Sequence, residues 1–222
     1  MSLSRTPEPE LMEEMEQARA YSLADFEEPH NRFIELIKEK FPGEQFDRLV
    51  LDLGCGTADI CIRFANAFPQ MRMHAIDGAE AMLHFARINI DAIRLHEQVR
   101  LFKRQLPVKG LPKEHYSALI SNSLLHHLAE PMVLWNSIKQ FAESGAPIFV
   151  MDLRRPDSES DADNLTDHYA KNEPEVLKHD FRNSLLAAYT VDEVKAQLQQ
   201  AGLERLRVES SGDRHLIVYG HY

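Results

Sequence analysis

A chain of 222 residues can hold one α/β domain, an appendage and a sizeable core, and its 44 % hydrophobic and 27 % charged content is ordinary for a globular protein. A net charge of −10, with basic clusters no longer than the pairs Lys103-Arg104 and Arg154-Arg155, argues against a protein built to grip nucleic acid, which needs clustered cations against phosphate. No apolar run approaches the roughly 18–20 residues that span a bilayer, and the N-terminus lacks a basic-then-apolar leader. Cys55 and Cys61, the two cysteines, read as packing residues and not as a disulfide, which fits a reducing compartment and predicts a cytoplasmic protein.

Residues 1–9 are polar, contain two prolines and are expected to be mobile. Glu10 to Ala20 reads as a helix with Leu11, Met15 and Ala18 on one face; a second helix runs from about Pro29 to Phe41 and stops at Pro42-Gly43. Strand and helix then alternate: strand Leu49–Leu53, helix Ala58–Phe68, strand Met71–Ile76, helix Glu80–His96, strands Val99–Phe102 and Tyr116–Ser121, a helix opened by Pro131, and strand Pro147–Leu153. The polar stretch 154–189 interrupts the alternation. A Thr190-x-x-Glu193 capping box starts a last helix that ends at Gly202, and Glu204–Glu209 with His215–Gly220 read as a terminal hairpin. Alternating units predict an α/β fold, a mostly parallel sheet covered on both faces.

The most informative segment is Val50-Leu51-Asp52-Leu53-Gly54-Cys55-Gly56-Thr57-Ala58-Asp59. An apolar strand ends in two glycines one residue apart, and a helix follows, so a ligand can approach backbone that no side chain shields. The dinucleotide fingerprint G-x-G-x-x-G would need glycine where Asp59 stands, and an ionised Asp59 would repel a diphosphate while tolerating a cation. The segment resembles the first motif of class I S-adenosylmethionine (SAM) dependent methyltransferases, small-molecule type. The resemblance covers about residues 45–222, and the order of its motifs is its specific part. It implies a seven-stranded, doubly wound sheet closed by an antiparallel hairpin. The domains would be a helical cap at 1–44 and a SAM-binding domain at 45–222, with a cap insertion at 154–189.

Asp77 ends the second strand, where an acid can accept from both ribose hydroxyls or cap the next helix. Asp77-Gly78-Ala79-Glu80-Ala81-Met82 resembles the family's second motif, which places Gly78 and Met82 beside the adenosine. In the third motif Gln105 replaces the usual acid ahead of Leu106-Pro107; its amide can still accept from an adenine amine. With Asp52, Gly54, Cys55, Gly56 and Asp59 from the turn, and Asn122 and Ser123 after strand four, these complete the expected cofactor set.

Asn122-Ser123-Leu124-Leu125-His126-His127 resembles the fourth segment of small-molecule methyltransferases. It is not Asn-Pro-Pro-aromatic, which argues against nucleic-acid or protein amide nitrogens as acceptors. Methyl transfer from a sulfonium needs alignment, exclusion of water and sometimes a base. His126 and His127 are the candidate catalytic groups. Neither the adjacent histidines nor the cysteines have a metal-ligand spacing, so no metal is expected. Tyr21, Phe26, His168, Tyr169, His179 and Phe181 are the candidate acceptor-pocket residues, and the expected partner is a small-molecule acceptor. Nothing in the sequence excludes a homodimer, and a SAM-binding protein of the same fold without turnover is the alternative reading.

Overall fold

The structure, a computed structural model, describes residues 3–9 and 11–222. Elements in chain order are α1 (Met15–Leu23), α2 (Glu27–Lys40), β1 (Leu49–Leu53), α3 (Asp59–Ala67), β2 (Arg72–Asp77), α4 (Glu80–Ala92), β3 (Val99–Lys103) and β4 (Ala118–Asn122). A single 3-10 turn at Leu125–His127 leads to α5 (Met132–Phe141), β5 (Pro147–Leu153), α6 (Glu159–Tyr169), α7 (Glu175–Ala187), α8 (Val191–Ala201), β6 (Arg207–Ser211) and β7 (His215–His221). The strands form one sheet in the order β3-β2-β1-β4-β5-β7-β6, with β7 antiparallel to both its neighbours and the others running one way. This is the expected doubly wound sheet with its terminal hairpin.

Alternation along each strand divides the core. Val50, Met73, Ala75, Ile120, Phe149 and Met151 meet α2, α3 and α4 on one face, while Leu51, Leu53, Ile76, Leu119, Ile148 and Val150 meet α5 and α8 on the other. The α8 capping box is formed: Thr190 Oγ1 accepts from Glu193 N–H, and the Glu193 carboxylate accepts from Thr190 N–H.

The structure departs from the sequence reading at the N-terminus. The helix expected from Glu10 begins at Met15, and Glu10 itself lies outside the described residues. Residues 3–9, expected to be mobile, instead run as a strap along the carboxyl edge of the sheet. Arg5 Nε donates to Ala187 O at 2.5 Å, its Nη2 to His126 O at 2.8 Å and to Leu128 O at 3.1 Å, and its guanidinium stacks 4.2 Å over the Tyr189 ring. Thr6 N–H donates to Leu186 O. α2 lines the cavity with Glu27 to Asn31 and also enters the core: Phe33 and Ile37 are fully buried, and Phe33 packs edge-on against Phe149 of β5 with ring centroids 5.0 Å apart. The stretch 154–189 supplies α6 and α7, whose Leu165 and Phe181 pack with Leu153, Leu185 and Ala188 at the end of β5.

Candidate cofactor and acceptor site

Parallel register brings the first two motifs together. Leu53 pairs with Ile76, so Gly54 leaves β1 beside Asp77 leaving β2, and Gly54 and Cys55 both donate to Ile76 O at 2.9 Å. The turn needs left-handed backbone at Gly54 (φ +78°), Gly56 (φ +53°) and Ala58 (φ +69°). Asn89 of α4 buttresses it by donating to Thr57 O. Asp77 is a cap and a turn anchor together: Oδ1 accepts from Ala79 N–H at 2.8 Å and Oδ2 from Gly56 N–H at 2.9 Å, leaving lone pairs that can face a ligand. Burial raises its pKa, and the backbone donors Ala79, Gly56 and Gly78 oppose that. Asp52, fully buried under the turn, is pushed up to about 7 by desolvation, despite the Cys61 thiol donating to it at 3.1 Å. Asp59 is desolvated too, but His30 and Arg63 donate to its Oδ2 and hold it below the ordinary carboxylate range.

A cavity of about 710 Å³ opens along this edge, between the glycine turn and the roof made by the N-terminal segment, α6 and α7. It is within the roughly 300–1,000 Å³ typical of small-molecule sites. All twelve expected cofactor residues line it: Asp52, Gly54, Cys55, Gly56, Asp59, Asp77, Gly78, Met82, Gln105, Leu106, Asn122 and Ser123. Tyr21, Phe26, Tyr169 and Phe181 line it as well, as do His126 and His127.

His168 and His179 do not line it. On α7 the inward stripe is Leu177, Phe181, Ser184 and Leu185, and His179 lies off that stripe, with a 74 % exposed side chain. On α6 Ala162, Leu165 and Thr166 turn inward and His168 is exposed; Tyr169, itself 38 % exposed, borders the cavity. Neither belongs in an acceptor pocket.

The histidine pair is better furnished than its sequence suggested. His126 is buried; its Nδ1–H donates to Asp152 Oδ1 at 2.6 Å, and Asp152 Oδ2 accepts from Leu125 N–H at 2.7 Å. Desolvation alone would lower the His126 pKa; Asp152 and Glu8 outweigh it and raise it. Desolvation and the His126 charge push His127 down to about 3, so His127 is neutral. Glu8 of the strap reaches both rings and accepts from Ser184 Oγ at 3.0 Å. Asp152, an acid inside the apolar run Pro147–Leu153, was the available sequence signal for this cluster; Glu8 had none. His30, Arg214 and His215 also line the cavity without having been anticipated. Arg214 lies 3.3 Å over the Tyr169 ring and donates to Glu28 at 2.8 Å. Burial pushes His215 down to about 3, leaving a neutral imidazole in the wall.

Sheet order, glycine turn, terminal acid on β2 and roofed cavity together define a class I methyltransferase architecture, and comparison with known proteins agrees. Residues 51–148 match the family described as a methyltransferase domain. A malonyl-[acyl-carrier protein] O-methyltransferase from Paenibacillus sp. (strain JDR-2) is 23 % identical over 115 residues, 51 % of this chain and 41 % of that protein. The chain spans less than half the length of such curated relatives. Among solved structures, a SAM dependent methyltransferase from Aquifex aeolicus superposes with a TM-score of 0.67 at 20 % identity, covering 92 % of this chain and 97 % of that one. The plantazolicin methyltransferase BpumL in complex with SAH gives 0.67 at 12 % identity over 92 % and 88 %. S-adenosylmethionine is the cofactor that goes with this class. Among the described residues no helix is long and apolar enough to cross a membrane.

Proposed function

We propose that the protein transfers a methyl group from S-adenosylmethionine to a small-molecule acceptor. The observation that carries this reading is one cavity lined both by the glycine turn and Asp77 and by the aromatic residues Tyr21, Phe26, Tyr169 and Phe181. The residues fit the cofactor chemically. Three carboxylates, Asp52, Asp59 and Asp77, surround the turn; they suit a sulfonium and an ammonium and would repel a diphosphate. Gly54 to Ala58 would carry the amino-acid end, Asp77 the ribose hydroxyls, and Gly78, Met82, Gln105 and Leu106 the adenine. Bound SAM supplies an activated methyl on a cationic leaving group.

The chain's own residues then orient the acceptor and keep water out. Tyr21, Phe26, Tyr169 and Phe181 offer faces for a flat or apolar acceptor, and the strap and α7 close the roof above them. His126, with Asp152 behind it, lines the same cavity and holds the acceptor's reacting group in place. A SAM-binding protein without turnover would have the acceptor half filled or missing, so the open roofed space favours the enzyme. Buried free thiols at Cys55 and Cys61 support a reducing, cytoplasmic setting. The test is incubation of methyl-labelled SAM with fractionated metabolite pools. Label should move to a small-molecule fraction as demethylated cofactor accumulates; SAM bound but never consumed with any fraction would leave only the binding-protein reading.

A further inference from the structure

We propose that Glu8, His126 and His127 form a binding site for one divalent transition-metal ion of the zinc type. One ligand atom from each residue lies within 4.8 Å of the other two. Glu8 Oε1 is 3.6 Å from His126 Nε2 and 3.1 Å from His127 Nδ1. Zinc–ligand bonds of about 2.0–2.2 Å in a tetrahedron put neighbouring ligand atoms roughly 3.4 Å apart, so these separations already match a metal's demands. The two imidazole nitrogens lie within 4.8 Å of one another.

Two further observations point to a ligand. His126 has its other nitrogen tied up: Nδ1–H donates to Asp152, whose second oxygen is fixed by Leu125 N–H, which leaves the Nε2 lone pair on the Glu8 side. A carboxylate holding the far nitrogen of an imidazole is the arrangement that orients metal-bound histidines. His127 Nδ1 is buried and, among the described residues, makes no aligned hydrogen bond; its polar neighbour is Glu8 Oε1 at 3.1 Å. A buried polar nitrogen left unpaired is costly, and a cation between it, Nε2 of His126 and Glu8 would satisfy it.

Two imidazoles and one carboxylate suit zinc, cobalt or nickel, whereas magnesium and calcium prefer all-oxygen sets. Three protein ligands leave a position open, and both histidines line the cavity. That position would hold an oxygen or nitrogen of the acceptor, a consequence that rests on the methyl-transfer reading; metal binding itself does not. The ion would also fasten the strap, since Glu8 comes from the N-terminal segment and the histidines from the edge of the sheet.

The experiment uses the untagged full chain, stripped with chelator and titrated with Co²⁺ as a visible-absorption probe, with Zn²⁺ as competitor. One equivalent of Co²⁺ should bind with the absorption of a tetrahedral N/O site and be displaced by Zn²⁺. Glu8→Gln and His127→Ala, checked for folding by circular dichroism, should each weaken binding by about tenfold or more. Absence of stoichiometric binding in the unaltered chain, or unchanged binding in both variants, overturns the site and assigns any signal to surface histidines such as His168 and His179. SAM affinity, measured on the same metal-free samples, separates the two readings: Co²⁺ without SAM retains the metal site and removes the methyltransferase, and SAM without Co²⁺ does the reverse.

Discussion

Asp52 links cofactor binding to pH. It is fully buried, and desolvation holds its carboxyl at about 7 instead of 3.8. A carboxylate raised in this way works against folding once it ionises. The unfolded chain releases the proton at 3.8 and the folded one near 7, so stability falls through that window, by up to about 4 kcal/mol at about 1.4 kcal/mol per pH unit, and is level above it. A cation arriving at the turn favours the ionised form, so SAM binding should expel the proton. Affinity for SAM should then climb about tenfold per pH unit well below 7, or about fiftyfold from pH 5 to pH 7. SAM's own amine, with an α-amino pKa of about 7.7, stays protonated in that range. Calorimetry of SAM at pH 5, 6 and 7 in two buffers of different ionisation enthalpy measures both slope and proton release. Asp52→Asn retains an acceptor for the Cys61 thiol, should flatten the profile, and should be more stable than the parent at pH 8. An affinity that does not change between pH 5 and 7, or a slope that survives in Asp52→Asn, refutes the assignment of the ligand's cation to this end of the cavity.

Asp77→Ala should weaken SAM binding by about 1.5–3 kcal/mol, the range for hydrogen bonds to a charged group, with Asp77→Asn milder because it can still accept from Gly56 or Ala79; isothermal titration of both variants decides. Gly56→Val places a β-branched residue at φ +53° with its Cβ 3.4 Å from Met82 Cε, so SAM binding should vanish more completely than in Asp77→Ala, as read by the same titration. Deleting residues 1–9 should spare the fold and SAM binding while turnover drops sharply, because it removes the Arg5 and Glu8 anchors of the roof; deleting 1–40 should unfold the protein in a thermal melt, because Phe33 and Ile37 leave the core.

Local signals carried well from sequence to structure. The strand–glycine turn–helix at 49–67, the acid ending β2 and the Thr190–Glu193 capping box are each specified by residues within a few positions of one another, and each is formed as expected. Long-range placement did not carry. The strap is held by contacts such as Arg5 to His126, partners 121 positions apart, so its polar, proline-containing sequence gave no sign of being fixed. The core role of α2 was hidden for a related reason: Phe33 and Ile37 declare an apolar face, but nothing local says that Phe149 covers it. For 154–189 the composition suggested pocket residues without the helical phase of α6 and α7, and a shift of one or two residues separates Tyr169 and Phe181, which face the cavity, from His168 and His179, which face solvent. Metal-ligand spacing was invisible in His126-His127 because the third candidate ligand arrives from Glu8.

The claim that the edge formed by Gly54–Ala58 and Asp77 is a SAM site is tested most directly by comparing SAM, its demethylated product and NAD as ligands of the unaltered chain in one calorimetric series. Saturable one-to-one binding of SAM and its product, with no heat from NAD, is the predicted result. Tight binding of NAD with none of SAM would contradict it.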